Sequence, residues 1–315
     1  MKSLTICPHL FTRDGGSSKD TFEDELNEFK ALAKSLPRLD IVDSVSFKLT
    51  KIYSATFFGS GKILQITKLI NRVQIKLVLI NSVISPIQQR NLEREWRVKV
   101  LDRTALILEI FGARASSREG GLQVELAHLE YQRTRLVRSW THLERQRGGI
   151  GFLGGPGETQ IEADRRAISE KVVNIKRKLK KISETRKLHR AGRKRSQVPV
   201  VALVGYTNAG KSTLFNYFTG SNELARDMLF ATLDSKMRSM NLQGDKNIIF
   251  SDTVGFITNL PTQLISAFRS TLEEIINADL ILHVRDISHA QSKAQAAAVK
   301  KLFLNYHGAK KKFLK

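Results

Sequence analysis

The sequence predicts an α/β protein, and three observations carry that expectation. The first is the string Gly205-Tyr206-Thr207-Asn208-Ala209-Gly210-Lys211-Ser212-Thr213, set behind the apolar run Val200-Val201-Ala202-Leu203-Val204. A β-rich run of that kind reads as a buried parallel strand, and Ser212 to Phe218 as a helix start, so strand, loop and helix follow in the order a phosphate-binding loop requires. The second is another apolar strand, Asn247 to Ser251, closed by Asp252-Thr253-Val254-Gly255. The third is the alternation of short strands and helices upstream, which gives way to two long heptad-like stretches. The expected architecture is a P-loop NTPase unit, an incomplete G domain, preceded by a small α/β subdomain and an antiparallel helical hairpin.

Residues 1–20, which include Gly15-Gly-Ser-Ser18, are expected to be flexible. Residues 21–117 form the subdomain: Phe22–Leu36 reads as an amphipathic helix, Ile75–Ile80 as a buried strand, Pro86–Trp96 as a helix and Lys99–Leu101 as a short strand, which suggests a parallel sheet. Gly59-Ser-Gly-Lys62 lacks the full phosphate-loop spacing and reads as a βα turn.

Residues 118–195 form the hairpin. Leu122, Leu126, Leu129, Leu136, Trp140 and Leu143 make one apolar spine, interrupted by Arg133, and Ile168, Val172, Ile175, Leu179 and Ile182 make another. Core packing is the expected role of Trp140. The connection from Gly148 to Gly157 carries more glycine than a helix link needs, together with Phe152, Leu153 and Pro156. It reads as a tip that inserts into shaped RNA, with Phe152 stacking on a base.

Fifty-two Lys and Arg against 30 Asp and Glu give a net charge of +22, which points to nucleic acid as a partner. Much of it is concentrated in Lys171, Lys176, Arg177, Lys178, Lys180, Lys181, Arg186, Lys187, Arg190, Arg193, Lys194 and Arg195, with Glu170 and Glu184 the only acids among them. Lys176, Arg177, Lys178, Lys180, Lys181, Arg193, Lys194, Arg195 and Phe152 are the candidate RNA contacts. So unbalanced a face repels itself unless a polyanion covers it.

Residues 196–315 carry the nucleotide chemistry. Gly205 and Gly210 let the chain wrap a phosphate, so that successive N–H groups and the positive helix end face the anion. Lys211 would bridge the terminal phosphates and Ser212 would bind Mg2+. Asp252 would hold the same ion through water, and Gly255 leaves room for its N–H to meet a γ-phosphate. Phe230-Ala231-Thr232 lies between these motifs, where a switch segment offers the Thr232 hydroxyl to the metal and the γ-phosphate. Beyond Asp252 a helix over Pro261–Asn277, a strand over Leu280–Val284 and a helix over Ala290–Asn305 are expected, with Lys310–Lys315 standing where the next strand should begin.

The single Cys7 excludes disulfides and a cysteine-rich zinc site, the seven His show no metal-ligand spacing, and no apolar run approaches a membrane span or a signal peptide.

Several strings resemble the HflX family of ribosome-associated GTPases: Gly205 to Asn216, Leu229-Phe-Ala-Thr-Leu-Asp234, Asp252-Thr-Val-Gly-Phe-Ile257 with Leu260-Pro261, Ala267-Phe-Arg-Ser-Thr-Leu-Glu273, and, outside the G domain, Gly148 to Arg166. The resemblance implies GTP as ligand, Mg2+, the large ribosomal subunit and its rRNA as partners, and turnover stimulated by that subunit. The expected protein is a monomer in the cytoplasm, whose reducing conditions suit a lone cysteine, with or without peripheral membrane contact. Phe256 stands where many GTPases place a water-orienting glutamine, and a phenyl ring cannot do that work. No Asn-Lys-x-Asp string for guanine and no later Ser-Ala loop occur. A frameshift, an early stop or a fragment boundary would each give such an ending. The alternative reading is therefore a truncated RNA-binding remnant without guanine selectivity, its strand at Val284 left with an unpaired edge.

Overall fold

The computed structural model describes residues 1–10, 19–146, 156–195, 198–221, 228–242, 246–258, 269–306 and 313–314. The chain divides into two compact units, one made of Met1–Ile110 with Leu129–Glu170 and the other of Phe111–His128 with Lys171–Lys315.

The first unit holds β1 (Lys2–Leu10), α1 (Lys19–Lys34), β2 (Asp40–Leu49), α2 (Ser60–Val73), β3 (Leu77–Ile80), α3 (Pro86–Trp96), β4 (Lys99–Asp102) and most of α4 (Arg103–Arg114), whose last turn from Phe111 belongs to the second unit. Its sheet has the order β2-β1-β3-β4, with every pair parallel. The expected flexible N-terminus is overturned over Lys2–Leu10: this segment is an inner strand, with Leu4, Ile6 and Cys7 fully buried. Two polar side chains are buried there at no loss, because the Ser3 hydroxyl donates to the Asp40 carbonyl at 2.9 Å and that of Thr5 to Ser44 at 2.6 Å. Pro8 is tolerated because β3 pairs with β1 only as far as Ile6, so position 8 faces β2 alone. Gly15-Gly-Ser-Ser18 lies outside the described residues.

α3 starts where the sequence says it should. Pro86 follows Ser85, whose hydroxyl accepts from the Gln88 amide while the Gln88 side chain accepts from the Ser85 N–H. Leu4, Ile6, Phe47, Phe58, Ile66, Val78, Leu92 and Trp96 form the core between sheet and helices. Gly59-Ser-Gly-Lys62 opens α2, with Gly59 as its N-cap.

The second unit contains β5 (Val200–Gly205), α7 (Lys211–Thr219), β6 (Lys236–Leu242), β7 (Lys246–Asp252), α8 (Arg269–Asn277), β8 (Leu280–Val284), α9 (Ser292–Tyr306) and β9 (Phe313–Leu314). The sheet order is β6-β7-β5-β8-β9, parallel except for the antiparallel β6. The expected bare edge of β8 is corrected: Ile281 and Leu282 pair with Phe313 and Leu314. Residues 259–268 of the expected helix lie outside the described residues.

Two long helices, α5 (Arg118–Gln146) and α6 (Pro156–Arg195), each contribute one end to each unit. Arg186 bonds Glu119 at 2.6 Å, which sets the start of α5 beside the far part of α6, as an antiparallel pair requires. Leu126, Leu129, Val172 and Ile175 of the expected spines are buried. The Trp140 side chain, Phe152 and the rest of the tip to Gly155 lie outside the described residues. Among the described residues no helix is long and apolar enough to cross a membrane.

In the first unit the buried Asp102 accepts from the Ala105 amide at 2.7 Å, the Tyr131 hydroxyl at 2.9 Å and the Arg135 guanidinium at 2.7 Å. Asp102→Ala removes the buried carboxylate shared by the Ala105 amide, the Tyr131 hydroxyl and the mostly buried Arg135, and is expected to cost about 3–5 kcal/mol. Denaturant unfolding followed by tryptophan fluorescence measures this, since Trp96 and Trp140 both belong to this unit.

Candidate nucleotide site

The parallel register of β5 and β7 pairs Leu203 with Asp252, so the loop after β5 and the carboxylate ending β7 emerge at one sheet edge. The loop leaves β5 at Gly205 and enters α7 at Lys211 through Gly210, whose φ of +85° suits glycine. Gly205 owes its identity to the sheet rather than to a phosphate, because a Cβ there would lie 2.2 Å from the Val284 carbonyl oxygen.

Lys211 is buried, and its ammonium donates to the Tyr206 carbonyl at 2.7 Å. Burial pushes its pKa down to about 8, with Asp252 opposing the shift. Below it, Ser212 Oγ lies 2.7 Å from Asp252 Oδ2 and 3.0 Å from Thr232 Oγ1, and Thr232 Oγ1 lies 3.0 Å from the same carboxylate oxygen. Burial raises the Asp252 pKa above its usual range, against the Ser212 hydrogen bond and Lys211. Asp252 Oδ1 is buried with no hydrogen-bond partner.

Three hard oxygens at these separations fit magnesium. Ligands at 2.0–2.1 Å in an octahedron stand about 2.9 Å apart, and a buried carboxylate that keeps an unused oxygen is suited to a cation or its water. The set contains no soft donor that would favour a thiophilic metal.

The segment after Asp252 is tied to the loop. Phe256 N–H donates to the Gly205 carbonyl at 3.1 Å, Thr207 N–H donates to the Phe256 carbonyl at 2.7 Å, and the Tyr206 hydroxyl joins the Thr258 hydroxyl at 3.1 Å. A Cβ on Gly255 would lie 3.0 Å from Lys211 Nζ.

A cleft of about 200 Å3 opens over these groups. Of the residues expected to bind nucleotide, Thr207, Asn208, Gly210, Lys211, Ser212, Thr213, Phe230, Ala231, Thr232, Thr253 and Gly255 line it. Gly205, Tyr206, Ala209, Asp252 and Val254 are not in its wall. Tyr206 and Val254 are buried behind it, and the Thr253 hydroxyl donates to the Leu203 carbonyl at 2.6 Å, holding β7 to β5. Met228 also lines the cleft and was not expected there.

Sequence reasoning also missed what anchors Thr232. Asp234 accepts from the amides of Ser116 and Ser117 at 2.9 and 2.7 Å and from their hydroxyls at 2.8 and 2.5 Å. These donors stand at the N-terminus of α5, where Ser117 also accepts from the Gly120 amide. Burial works against the Asp234 charge, yet these bonds together hold its pKa below the ordinary value. Phe230 packs edge-on to Phe111 at 4.9 Å and holds φ at +56°, a left-handed conformation that a bulky residue rarely keeps. The one legible signal was the Ser116-Ser117 pair ahead of a helix.

Comparison with known proteins bears on this geometry. Three family models match: GTP-binding GTPase N-terminal over residues 23–112, GTP-binding GTPase Middle Region over 114–193 and 50S ribosome-binding GTPase over 200–314. GTPase HflX of Flavobacterium psychrophilum is 42% identical over 309 residues, covering 98% of this chain and 73% of that protein. The chain belongs to the HflX family. GTPase HflX of Magnetococcus marinus is 54% identical over 250 residues, 79% of this chain and 58% of that protein. GTPase HflX of Escherichia coli is 44% identical over 282 residues, 90% of this chain and 66% of that protein. The chain thus spans 58% and 66% of the length of these two HflX relatives. The crystal structure of the SsGBP and GDP complex has a TM-score of 0.54 at 25% identity, covering 96% of this chain and 77% of that one.

With a triphosphate in the cleft, the displaced pKa of Lys211 is expected to make binding pH-dependent. Below pH 8 the ammonium is charged with and without ligand, and the lysine adds no slope. Above pH 8 the free protein has released a proton that the phosphates draw back, so affinity is expected to fall by up to about tenfold per pH unit. Calorimetry in buffers of different ionisation enthalpy checks this: proton uptake at pH 9 and none at pH 7 is the expected pair.

Asp234→Ala leaves the Ser116 and Ser117 amides without their acceptor, and a cost of about 1–2 kcal/mol is expected. Because the folded pKa of Asp234 is depressed, its contribution is complete above the ordinary aspartate value and lost as pH falls through the folded one. Faster amide exchange at Ser116 and Ser117 in the variant near neutral pH, converging with wild type in acid, is the expected outcome.

Proposed function

We propose that the chain is a magnesium-dependent GTP-binding protein that hydrolyses GTP to GDP and phosphate in association with the large ribosomal subunit. The observation that carries this reading is the convergence of the Ser212, Thr232 and Asp252 oxygens beneath the buried Lys211 ammonium. In this reading the loop amides from Asn208 to Ser212 and the N-terminus of α7 cradle the phosphates, and Lys211 meets the β- and γ-oxygens. Mg2+ at the oxygen triad supplies charge that offsets the negative phosphate oxygens. Thr232 reaches the site on the segment that Asp234 anchors, so ligand at the γ-position and the placement of that segment support one another.

Phe256 is buried and its backbone is committed to the loop, which leaves its position without a group to orient water. Intrinsic hydrolysis is therefore slow, and a docked partner completes the site. The matched model described as 50S ribosome-binding GTPase names a fitting partner. Exposed Lys176, Arg177, Lys178, Lys180, Lys181 and Arg195 on α6 offer the phosphate contacts for its rRNA. The cytoplasm is the compartment that suits such a partner.

A second reading, an RNA-binding protein without base selectivity or turnover, has one supporting observation: the run of exposed cations on α6. Affinities for GTP and ATP, and phosphate release with and without large ribosomal subunits, separate the two. Magnesium-dependent binding that prefers GTP, with release accelerated by the subunit, supports the enzyme. Equal binding of both nucleotides with no accelerated release overturns it in favour of the second reading.

A further inference from the structure

The first unit contains a cluster of donors that nucleotide chemistry does not use. Its strand order, β2-β1-β3-β4, reverses direction between β1 and β3, and in open parallel sheets ligands bind outside the carboxyl ends of the strands at such a switch point. Cys7 and His9 stand at that end of β1, two residues apart and so on one face. Across that face runs α1, whose Phe22 ring sits 4.2 Å from the His9 ring and whose Glu25, one turn on, brings a carboxylate oxygen to 3.1 Å from His9 Nδ1.

The thiol sulfur, an imidazole nitrogen and the Glu25 carboxylate all lie within 4.8 Å of one another. Cys7 is fully buried, and the His9 side chain is 5% exposed, with its Nε2 buried and lacking any hydrogen-bond partner. Glu25 is 49% exposed and gives the cluster its opening to solvent. An ion pair between His9 and Glu25 alone explains neither the unpartnered nitrogen nor the sulfur held close to a carboxylate.

We propose that Cys7, His9 and Glu25 form a binding site for a thiophilic divalent metal of the zinc class, with water as the fourth ligand. The donors are one sulfur, one nitrogen and one oxygen, a set that zinc takes and that magnesium or calcium does not. Charge balances, since a thiolate and a carboxylate match a dication while the imidazole binds neutral. A supporting shell is in place: Asn81, directly after β3, donates to Cys7 Sγ at 3.0 Å and accepts from Arg103 at 2.7 Å, while Arg103 pairs with Glu28 at 2.9 Å. Such a metal would pin α1 to an inner strand of the sheet at the point where the fold invites a ligand. The site is separate from the Ser212, Thr232 and Asp252 triad and does not depend on the nucleotide reading.

The test is a Co2+ titration of the tag-free full chain, stripped of metal by chelation and held in excess Mg2+ so that hard oxygen sites are filled. One equivalent of Co2+ producing a thiolate-to-cobalt charge-transfer band, displaced by Zn2+, is expected. Cys7→Ser should abolish the band. Glu25→Gln, at an exposed position that leaves the core intact, should weaken Zn2+ binding by about tenfold or more, at least the loss that outer-shell partners alone command. Absence of the band, its survival in Cys7→Ser, or unchanged Zn2+ affinity in Glu25→Gln would each overturn the proposal.

Discussion

The pairing of Leu203 with Asp252 across β5 and β7 is the constraint from which the nucleotide site follows. A slip of one residue would turn Asp252 to the opposite face of the sheet and take its carboxylate away from Ser212. Two side-chain choices secure the register. The Thr253 hydroxyl locks onto the Leu203 carbonyl, and glycine at 205 allows β8 to approach closely on the other side. With both neighbours of β5 fixed, the loop can hold a lysine that is otherwise expensive to bury. Burial pushes the Lys211 pKa down and the Asp252 pKa up, so both groups carry the cost of desolvation that a charged ligand in the cleft would offset.

The segment bearing Thr232 is held under tension. Phe230 keeps a left-handed backbone that costs on the order of 1–3 kcal/mol and persists only where the surroundings enforce it. Phe111 on one side and the Asp234 bonds to Ser116 and Ser117 on the other are that enforcement. The Asp234 bonds, exposed to solvent and together worth about 1–2 kcal/mol, are of the same order as that strain and act with the Phe111 contact against it. The α5 N-terminus is thereby part of the apparatus that presents Thr232, so a shift of that threonine has a physical route to the start of the long helix.

The legibility of this chain in its sequence divides along the range of the interactions. The strand, loop and helix around Lys211 declare themselves because glycine spacing and apolar runs are local. The same holds for α3, whose cap is written in Ser85, Pro86 and Gln88. β1 escaped because Ser3 and Thr5 interrupt its apolar pattern, and only cross-strand partners near residues 40–44 make them welcome inside. β6 escaped because it is an edge strand with mostly exposed residues and no clear alternation. The Asp234 contact joins positions more than one hundred residues apart, and the Cys7, His9 and Glu25 cluster exists only where a strand and a helix cross. A count of cysteines and a search for ligand spacing cannot see either.

The basic character of α6 also looks different once contacts are known. Arg186 pairs with Glu119 and approaches Glu274 at 3.8 Å, and Arg190 approaches Glu273 at 3.8 Å, so acids from α5 and α8 answer part of the charge that the local sequence left unbalanced. These arginines hold the second unit together and are not the residues to offer to RNA. Lys176 and Lys180 stand one turn apart, as do Arg177 and Lys181, and such like-charged pairs each destabilise a helix by about 0.2–0.5 kcal/mol. Val172 and Ile175 are buried, and of these cations the exposed Arg177 and Lys181 fall on the side of the helix away from them. Arg177 and Lys181, like charges one turn apart on the exposed side, form a pair whose repulsion a polyanion would relieve, which sets them apart from the paired Arg186 and Arg190.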